Sequence, residues 1–431
     1  MFLPFVAVYY LAFLFRNINA TIAGPLTSEF DLAASDLGLL TSVYYLAFAA
    51  VQIPIGILLD RCGPRRVQSV VLVAAALGAA LFAISDHYWH LLGGRALIGL
   101  GVAAAMTAGM KALVIWFPRE RVPMLSGLMV TLGAMGALTA TLPADFLMGS
   151  IGWRGLFELL AIVSAGCALV VYLVVPEPPA VTTVAGEPAA NGLSAIYAEP
   201  RFWRLAPLSA TCVGTAWALQ GLWAAPWLSD VEGLDRTGLL RYLSVMAIAL
   251  SMGAFLLGVT SNRLLRRGVR PRALLGLVAT VFIVAQLTLI LRLPIPSYLP
   301  WAIISAVGAM TVLSYTILAE YFPKELAGRA NAALNVFHIG GAFVLQYLTG
   351  MVLQLWTPLE GHYPEVAYQA AFALNVVFQI AAGIWFALPW LLKSLPPHVV
   401  GRSRDLHSNR SHLTMGAGCE FKMAGKGVGS L

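Results

Sequence analysis

Residues 67–85 read Val-Gln-Ser-Val-Val-Leu-Val-Ala-Ala-Ala-Leu-Gly-Ala-Ala-Leu-Phe-Ala-Ile-Ser, an apolar run without a charged side chain. A helix of this length rises about 28 Å, enough to cross a hydrocarbon core of about 30 Å. The apolar residues are continuous and do not alternate with polar ones, so the run predicts a helix and not a barrel strand. We interpret it as a transmembrane span.

Runs of the same kind recur along the whole chain of 431 residues, in which 59% of residues are hydrophobic and 11% are charged. Soluble domains carry about 25% charged residues, so most of this surface must face lipid. We predict an all-α membrane protein with twelve spans, near 4–27, 37–59, 67–85, 91–117, 122–148, 154–175, 203–229, 239–262, 271–291, 297–321, 328–355 and 367–392. The first run lacks a basic leader and a small-residue cleavage site, so we expect a retained span, with a few residues missing upstream.

Several function classes find no support in the sequence. Cys62, Cys167, Cys212 and Cys419 are scattered without disulfide or metal-ligand spacing. We find no nucleotide-binding glycine loop, metal cluster or nucleophile triad. We therefore expect neither an enzyme nor a resident cofactor, and a monomer that works in the lipid bilayer.

Basic residues predict the orientation. The one long connector, residues 177–200, begins after Pro176 and reads as a polar linker, and residues 395–431 read as a disordered tail. Of the 27 Lys and Arg residues, four lie in loops opposite the linker and three within spans, which leaves 20 on the linker side. By the positive-inside rule, we expect the linker and both termini to be cytoplasmic, in the inner membrane. The net charge of +7 then reflects topology and contact with anionic lipid, and no nucleic-acid partner is expected.

The two halves of the chain contain matching motifs. Trp116-Phe117-Pro118-Arg119-Glu120 after the fourth span corresponds to Tyr321-Phe322-Pro323-Lys324-Glu325 after the tenth, and Gly56-x-x-x-Asp60-Arg61 corresponds to Gly258-x-x-x-Asn262-Arg263. Parallel six-span repeats imply a pseudo-two-fold axis along the membrane normal and a site between the halves. We predict two six-helix bundles, residues 1–176 and 201–394.

These motifs resemble the major facilitator superfamily over roughly residues 4–393. Residues 56–66, Gly-Ile-Leu-Leu-Asp-Arg-Cys-Gly-Pro-Arg-Arg, look like its signature loop between spans 2 and 3. Leu91-x-x-x-Arg95-x-x-x-Gly99-x-Gly101 is similar to its span-4 motif, and Gly152-Trp153-Arg154-x-x-Phe157 is similar to its turn before span 6. The Gly-Pro-x-x-Gly-Gly run of drug antiporters is absent from span 5, which lowers the case for a drug exchanger.

The resemblance implies gating roles. Asp60, with Arg61 and Arg65, would form a charged latch at the cytoplasmic surface in the outward-facing state, and Gly56 would permit close helix approach. The second copy has Asn262 in place of the acid, so we expect the latch at Arg263 to be weaker. Arg95 would serve in gating or proton movement. The alternatives are positive-inside anchoring for the loop and a periplasmic anchor for Arg95.

Arg16 is our strongest substrate-binding candidate. It lies mid-span, where a charge costs roughly 2.5–3.5 kcal/mol on the insertion scale, so it should face a water-filled cavity. Arg16-Asn17-Ile18-Asn19 resembles the first span of organophosphate and organic-anion symporters, in which an arginine binds the anion. Asn19 follows on the same face. A purely structural pairing of Arg16 remains the alternative.

Other candidates are weaker. Lys111 is a possible second cationic contact, but it also lies near enough to the cytoplasmic end to snorkel. In the second half, Trp217 and Gln220 lie one turn apart, and Asn335 and His338 share a polar stripe. Packing and helix–helix hydrogen bonding are the alternatives for these four residues. The organophosphate antiporters have a second arginine within span 7, and no such arginine is found in the interior of this span. This departure from the resemblance favours a monoanion such as a carboxylate or sulfonate over a phosphate dianion.

Asp145 is the proposed proton-coupling acid, because acids within a membrane protein commonly mark proton pathways. A surface cap is its alternative role. The leading prediction is therefore an alternating-access symporter for a small organic anion, driven by protons. The other hypotheses are an exporter of an amphipathic compound and, in a different class, a ligand sensor with a transporter fold.

Overall fold

The computed structural model describes residues 1–118, 120–177, 189–308, 311–322, 324–359 and 361–394, and these residues are almost entirely helical. One isolated bridge joins Leu359 and His362. The helices are α1 (Phe2–Phe30), α2 (Ala34–Ala50), α3 (Gln52–Ala83), α4 (Tyr88–Val102), α5 (Ala105–Trp116), α6 (Val122–Thr139), α7 (Leu142–Val174), α8 (Ala189–Ala198), α9 (Pro200–Ala218), α10 (Ala224–Asp230), α11 (Arg236–Arg266), α12 (Pro271–Ile290), α13 (Tyr298–Val307), α14 (Thr311–Tyr321), α15 (Lys324–Leu353) and α16 (Glu365–Ser394). A π-helical turn, Leu219–Trp223, joins α9 to α10.

Two of these helices each contain a sharp turn at a glycine. Gly63 in α3 has φ 76° and Gly152 in α7 has φ 71°, in the left-handed region that glycine adopts at little cost. Each turn separates two predicted spans, spans 2 and 3 at Gly63 and spans 5 and 6 at Gly152. Other predicted spans are interrupted, for example span 4 between α4 and α5. The twelve-span architecture in two six-helix bundles is confirmed.

The internal repeat is visible in the backbone. Gly268, 205 residues after Gly63, also has a positive φ, of 84°. The fourth span breaks at Ala103 and Ala104, between α4 and α5. The positive φ at equivalent glycines of the two halves supports the duplication inferred from the sequence motifs.

The outer surface of the bundle is apolar. Eight helices are long and apolar enough to cross a membrane by length and composition, and shorter apolar helices accompany them. On α7, Ile162 and Leu173 are largely exposed although they are strongly hydrophobic. Large exposed aliphatic side chains of this kind suit contact with lipid, so the protein is a multi-pass membrane protein.

Close helix packing occurs at glycines of the span-4 motif. A methyl group on Gly99 would lie 2.2 Å from the Tyr44 carbonyl oxygen, and one on Gly101 would lie 2.2 Å from the Ala75 nitrogen. By contrast, nothing lies within 4 Å of such a group on Gly56. The prediction of close approach at Gly56 is therefore wrong for this conformation, whereas glycines of α4 do make such contacts.

The linker contains a helix that the polar composition did not predict. Ile196 of α8 is fully buried. Its neighbour Tyr197 packs edge-on against Phe202, and the Tyr197 carbonyl accepts a hydrogen bond from Trp203. These contacts explain why α8 forms. Residues 178–188 of the linker and the predicted disordered tail, 395–431, lie outside the described residues.

The helical bundle has two ends, the linker side and the far side. The linker side holds Asp60 and Glu177, and the far side holds Asp145 and Arg236. On the far side, contacts join the first half to the second, including an ion pair between Asp145 and Arg236 at 2.5 Å.

Candidate functional site

A central cavity of about 280 Å³ lies between the two halves. Its wall is mostly apolar and aromatic, with contributions from both halves. The principal side chains are Tyr9, Phe13, Arg16, Tyr44, Tyr45, Phe48, Gln52, Met106, Thr107, Thr131, Trp217, Ser251, Tyr315 and Asn335. Among the described residues of this wall, Arg16 is the one charged side chain.

Arg16 lies at the centre of α1 and points its guanidinium group at aromatic rings. Its Cζ atom is 4.2 Å from the ring centre of Phe13 and 4.8 Å from that of Trp217. Trp217 also stacks on Tyr45, with ring centres 6.3 Å apart. Within the described part of the chain, Arg16 has neither an ion-pair nor a hydrogen-bond partner. Its five N–H donors are therefore free to bind an anion in the cavity.

Glycines of α6 fix the position of α1. A methyl group on Gly133 would lie 2.3 Å from the ring of Tyr9, and one on Gly136 would lie 2.1 Å from the Tyr10 carbonyl oxygen. Small residues at this spacing let two membrane helices pack with their backbones in close contact. Tyr9, Phe13 and Arg16 then form one stripe of α1 that faces the cavity.

The structure separates Asn19 and Gln220 from the cavity. Asn19 is buried and is not part of the cavity wall. Gln220 lies in the π-helical turn and faces a separate small pocket beside Asn17. A π-helical turn shifts the helical register, so Trp217 and Gln220 do not share a face as ideal α-helical spacing predicted.

Lys111 also lies apart from the cavity wall. Its Nζ donates to a carboxylate oxygen of Asp60 at 2.7 Å and to the Leu59 carbonyl oxygen at 2.6 Å. The lysine therefore neutralises the signature-loop acid on the linker side. It does not contact the space beside Arg16.

The signature-loop arginines have partners other than Asp60. Arg65 donates to the Tyr172 carbonyl oxygen at 2.8 Å, and Arg66 pairs with Glu177. The hydrogen bond from Arg66 lowers the pKa of the Glu177 carboxyl group. Arg61 and Arg263 are exposed, and the side chain of Asn262 lies outside the described part of the structure. A pairing of Asp60 with its adjacent arginines is not seen in this conformation.

Arg95 is fully buried behind the cavity. It donates to the Phe15 carbonyl oxygen at 3.2 Å, and its Cζ lies 4.8 Å from the ring centre of Phe82. No acidic side chain pairs with it among the described residues. The alternative role as an anchor at the membrane surface does not fit this burial.

Asn335 and His338 were predicted to share one polar stripe, but only Asn335 lines the cavity. Asn335 lines the cavity and accepts a hydrogen bond from the Tyr315 hydroxyl at 3.4 Å. His338 is fully buried behind it, with Nε2 2.7 Å from the Ser209 hydroxyl, which is 2.6 Å from the Ser314 hydroxyl. His338 thus joins three helices of the second half.

Asp145 forms a contact between the halves on the far side. One carboxylate oxygen accepts a hydrogen bond from Nε of Arg236 at 2.6 Å and lies 2.5 Å from Nη2 in the ion pair. Arg236 also donates to the Thr21 carbonyl oxygen at 3.3 Å. A second contact nearby joins the hydroxyls of Thr141 and Ser244 at 3.0 Å.

The sequence analysis missed most of the aromatic wall. Tyr44, Tyr45 and Tyr315 line the cavity, yet none has a charge that would make it conspicuous in an apolar helix. Only weak signals for this wall were available in the sequence. They were the tyrosine hydroxyls in mid-span and the spacing of Gly133 and Gly136 in span 5, a segment considered above only for its lack of the antiporter motif.

Comparison with known proteins identifies the family. Residues 5–307 match the sequence profile of the Major Facilitator Superfamily. The probable sulfoacetate transporter SauU of Cupriavidus necator is 24% identical over 66% of this chain and 69% of its own length. The probable L-galactonate transporter of Escherichia coli is 26% identical over 61% of each chain. The nitrate/nitrite transporter NrtP of Picosynechococcus sp. is 25% identical over 49% of this chain and 45% of its own.

Solved structures agree with this family assignment in fold. A crystal structure of a bacterial homologue of the human lysosomal transporter Spinster superposes with a TM-score of 0.75, at 20% identity, over 92% of this chain and 98% of its own. A D-xylose–proton symporter gives a TM-score of 0.68 at 14% identity, over 88% of this chain and 96% of its own. From its motifs, its duplicated helical halves and these similarities, the chain belongs to the Major Facilitator Superfamily and is a transporter, not an enzyme.

Proposed function

We propose that this protein is a secondary active transporter of a small organic monoanion, which it moves by alternating access in symport with protons. The observation that carries the proposal is Arg16, an arginine without an acidic partner in the described cavity wall. A charge at mid-membrane depth is costly unless it is hydrated or paired. A bound carboxylate or sulfonate supplies the missing partner.

The charge balance favours a monoanion. Arg16 is the one cation of the described wall, and Lys111 is already paired with Asp60. A dianion would therefore bring one uncompensated negative charge into the cavity, at a large desolvation cost. Relatives whose names refer to sulfoacetate, nitrate and L-galactonate support an anionic substrate in general.

Proton coupling is proposed to act through Asp145. This acid lies between the halves and binds Arg236, so its protonation would remove an attraction that closes the far side. A proton arriving from that side would then favour opening towards the compartment with the higher proton concentration. The Asp145–Arg236 ion pair would thus control both proton coupling and the opening of the far side.

The proposed orientation follows the basic-residue asymmetry, with the linker side cytoplasmic in the inner membrane. A single cysteine at the exposed Ala198, introduced after replacement of the four native cysteines, tests it in intact cells. We expect labelling only by a membrane-permeant reagent. Labelling by an impermeant reagent from outside the cell would overturn the topology.

The function is tested with purified protein in proteoliposomes, with organic acids supplied under an inward pH gradient. We expect Arg16→Gln to weaken anion binding by roughly 10- to 150-fold, because hydrogen bonds to charged groups contribute about 1.5–3 kcal/mol. Arg16→Lys should recover part of the affinity, since it keeps the charge and loses the bidentate geometry.

Arg292→Gln is the matched control, because it removes an arginine that pairs with Glu232 on the far side and lies outside the cavity wall. It should leave affinity unchanged. Unchanged affinity in Arg16→Gln would overturn the anion proposal. Binding without uptake under any gradient would favour the ligand sensor, and outward movement of a neutral amphipathic compound would favour the exporter.

A further inference from the structure

The wall around Arg16 presents aromatic rings from both halves of the protein. Tyr9 and Phe13 come from α1, Tyr44 and Tyr45 from α2, Trp217 from α9 and Tyr315 from α14. Tyr44 and Tyr45 pack edge to face, with ring centres 5.2 Å apart. Rings prefer offset or edge-on contact with other rings, so this wall favours a flat apolar partner.

Most smaller hydroxyl groups of the wall already donate their hydrogen to the backbone. Thr107 donates to the Ala104 carbonyl oxygen at 3.2 Å, Thr131 to Gly127 at 3.0 Å and Ser251 to Ala247 at 3.2 Å. Each bond is local in sequence, and those of Thr131 and Ser251 stay within one helix. A polyhydroxylated substrate would lose hydrogen bonds to water and find these three hydroxyl donors already used, which is unfavourable.

Size gives a third restriction. At about 280 Å³ the cavity lies just below the usual range of small-molecule sites, roughly 300–1,000 Å³. That volume suits a single ring with one charged group and excludes large amphipathic compounds in this conformation. It is much larger than a nitrate ion requires.

We infer that the substrate is an aromatic monocarboxylate or monosulfonate, whose anionic group binds Arg16 and whose ring packs among Tyr44, Tyr45 and Trp217. This inference rests on the proposed anion-transport function and specifies the body of the substrate. Trp217 contacts both Arg16 and Tyr45, so it lies beside the proposed sites of the substrate's anionic group and of its ring. It is also a direct contact between the second half and the anion site on α1.

The test measures binding to the purified full-length chain in nanodiscs by isothermal titration calorimetry. The probes are benzoate, cyclohexanecarboxylate, acetate, gluconate, nitrate, phthalate and the neutral benzamide. We expect benzoate to bind at least about tenfold more tightly than acetate or gluconate, because several aromatic contacts of about 0.5–1.5 kcal/mol each add to the ionic one. Phthalate and benzamide should bind weakly, since one has an extra charge and the other has none.

Variants separate the ring contact from the anion contact. Trp217→Leu and Tyr45→Leu should each weaken benzoate binding by about three- to tenfold and change acetate binding little. Trp89→Leu is the matched control, because Trp89 is 76% exposed and lies outside the cavity wall. It should leave both affinities unchanged.

The outcomes distinguish this inference from the proposed function. Gluconate or nitrate binding as tightly as benzoate, with dependence on Arg16, would overturn the aromatic substrate and leave anion transport standing. Equal loss of acetate and benzoate binding in Trp217→Leu would also overturn it, since the tryptophan would then act only through Arg16. Failure of every anion to bind would overturn both proposals.

Discussion

The far side and the linker side of the protein hold their charged residues in different ways. On the far side, Asp145 of the first half pairs with Arg236 of the second, and the Ala34 amide donates to the Tyr363 hydroxyl at 3.2 Å. On the linker side, the pair between Asp60 and Lys111 stays within the first half. The far side therefore joins the halves, whereas this linker-side pair does not.

Glycine packing also differs between the far side and the linker side. A methyl group on Gly350 of α15 would lie 2.6 Å from the Ala34 carbonyl oxygen, across the boundary between the halves, whereas one on Gly56 on the linker side would meet nothing within 4 Å. Shape complementarity thus reinforces the far-side polar contacts. The comparison teaches that, in this conformation, glycine packing as well as charge holds the two halves together on the far side.

The largest effect is expected from Gly350→Val. The added side chain would collide with the backbone of Ala34, and overpacking costs about 1–3 kcal/mol. We expect the population closed on the far side to fall by roughly 5- to 150-fold relative to the open one. Spin labels at Asp31 and Glu232, in loops of the two halves, should report longer distances by double electron–electron resonance.

Gly340→Val on the same helix is the control, because nothing lies within 4 Å of the added group. Its distance distribution should match the wild type. A folded Gly350→Val protein with unchanged distances would show that glycine packing does not hold the far side closed.

A smaller effect is expected from Asp145→Asn. The Asp145–Arg236 pair is partly exposed, and such pairs contribute about 0–1 kcal/mol, so the closed population should fall at most about fivefold. Because asparagine mimics the protonated acid, uptake should lose its dependence on the pH gradient. The measurement is proteoliposome uptake at a fixed outside pH with and without a gradient.

Exchange of the two charges, Asp145→Arg with Arg236→Asp, serves as the control for that result. The exchanged pair should restore far-side closure. Gradient-dependent uptake that persists in Asp145→Asn would leave the residue as a contact between the halves and remove it from proton coupling.

Asp60→Asn should have less influence on this conformation. Asp60 is largely exposed, and Lys111 keeps its bond to the Leu59 carbonyl oxygen, so the spin-label distances should hardly change. Turnover should slow if Asp60 forms a latch in the opposite state, while intrinsic substrate affinity stays constant. Lost binding with wild-type state populations would instead make Asp60 a substrate-binding residue.

The smallest effect is expected on the pH dependence of stability, through the ion pair between Arg66 and Glu177. Because Arg66 lowers the pKa of Glu177, the pair stabilises the folded protein above the ordinary glutamate pKa of about 4.3 and loses this contribution as the pH falls through the lowered value. We expect wild type and Glu177→Gln to differ slightly in melting temperature at pH 7, and this difference to shrink as the pH falls through the lowered pKa of Glu177. A difference that grows on acidification would contradict this sign.

Much of the fold was predictable because lipid restricts the choices. Without water to bind backbone groups, apolar runs must become helices, so their number and order followed from the sequence. The turns at Gly63 and Gly152 also agreed with the predicted boundaries. The breaks at Ala103 and in the π-helical turn were not predicted, because local composition there remains apolar and helical.

The candidate site was predictable where it contains a charge. Arg16 was conspicuous because an arginine rarely occupies mid-membrane positions without a function. Lys111 was a weaker candidate because it lies near the cytoplasmic end of its span, and it pairs with Asp60, 51 residues away in the chain. The spacing of residues along the sequence did not show whether Lys111 contacts the cavity or pairs with a residue of another helix.

The sequence by itself determined the number of spans, the duplication and the presence of an arginine that must be kept away from lipid. These properties follow from hydrophobic length, motif spacing and the cost of a buried charge, which are local or one-dimensional quantities. Only the tertiary structure decided which residues share the cavity with Arg16. Tyr45 and Trp217 meet there because glycine contacts and a π-helical turn set how the helices approach and rotate, and those depend on packing between segments far apart in the chain.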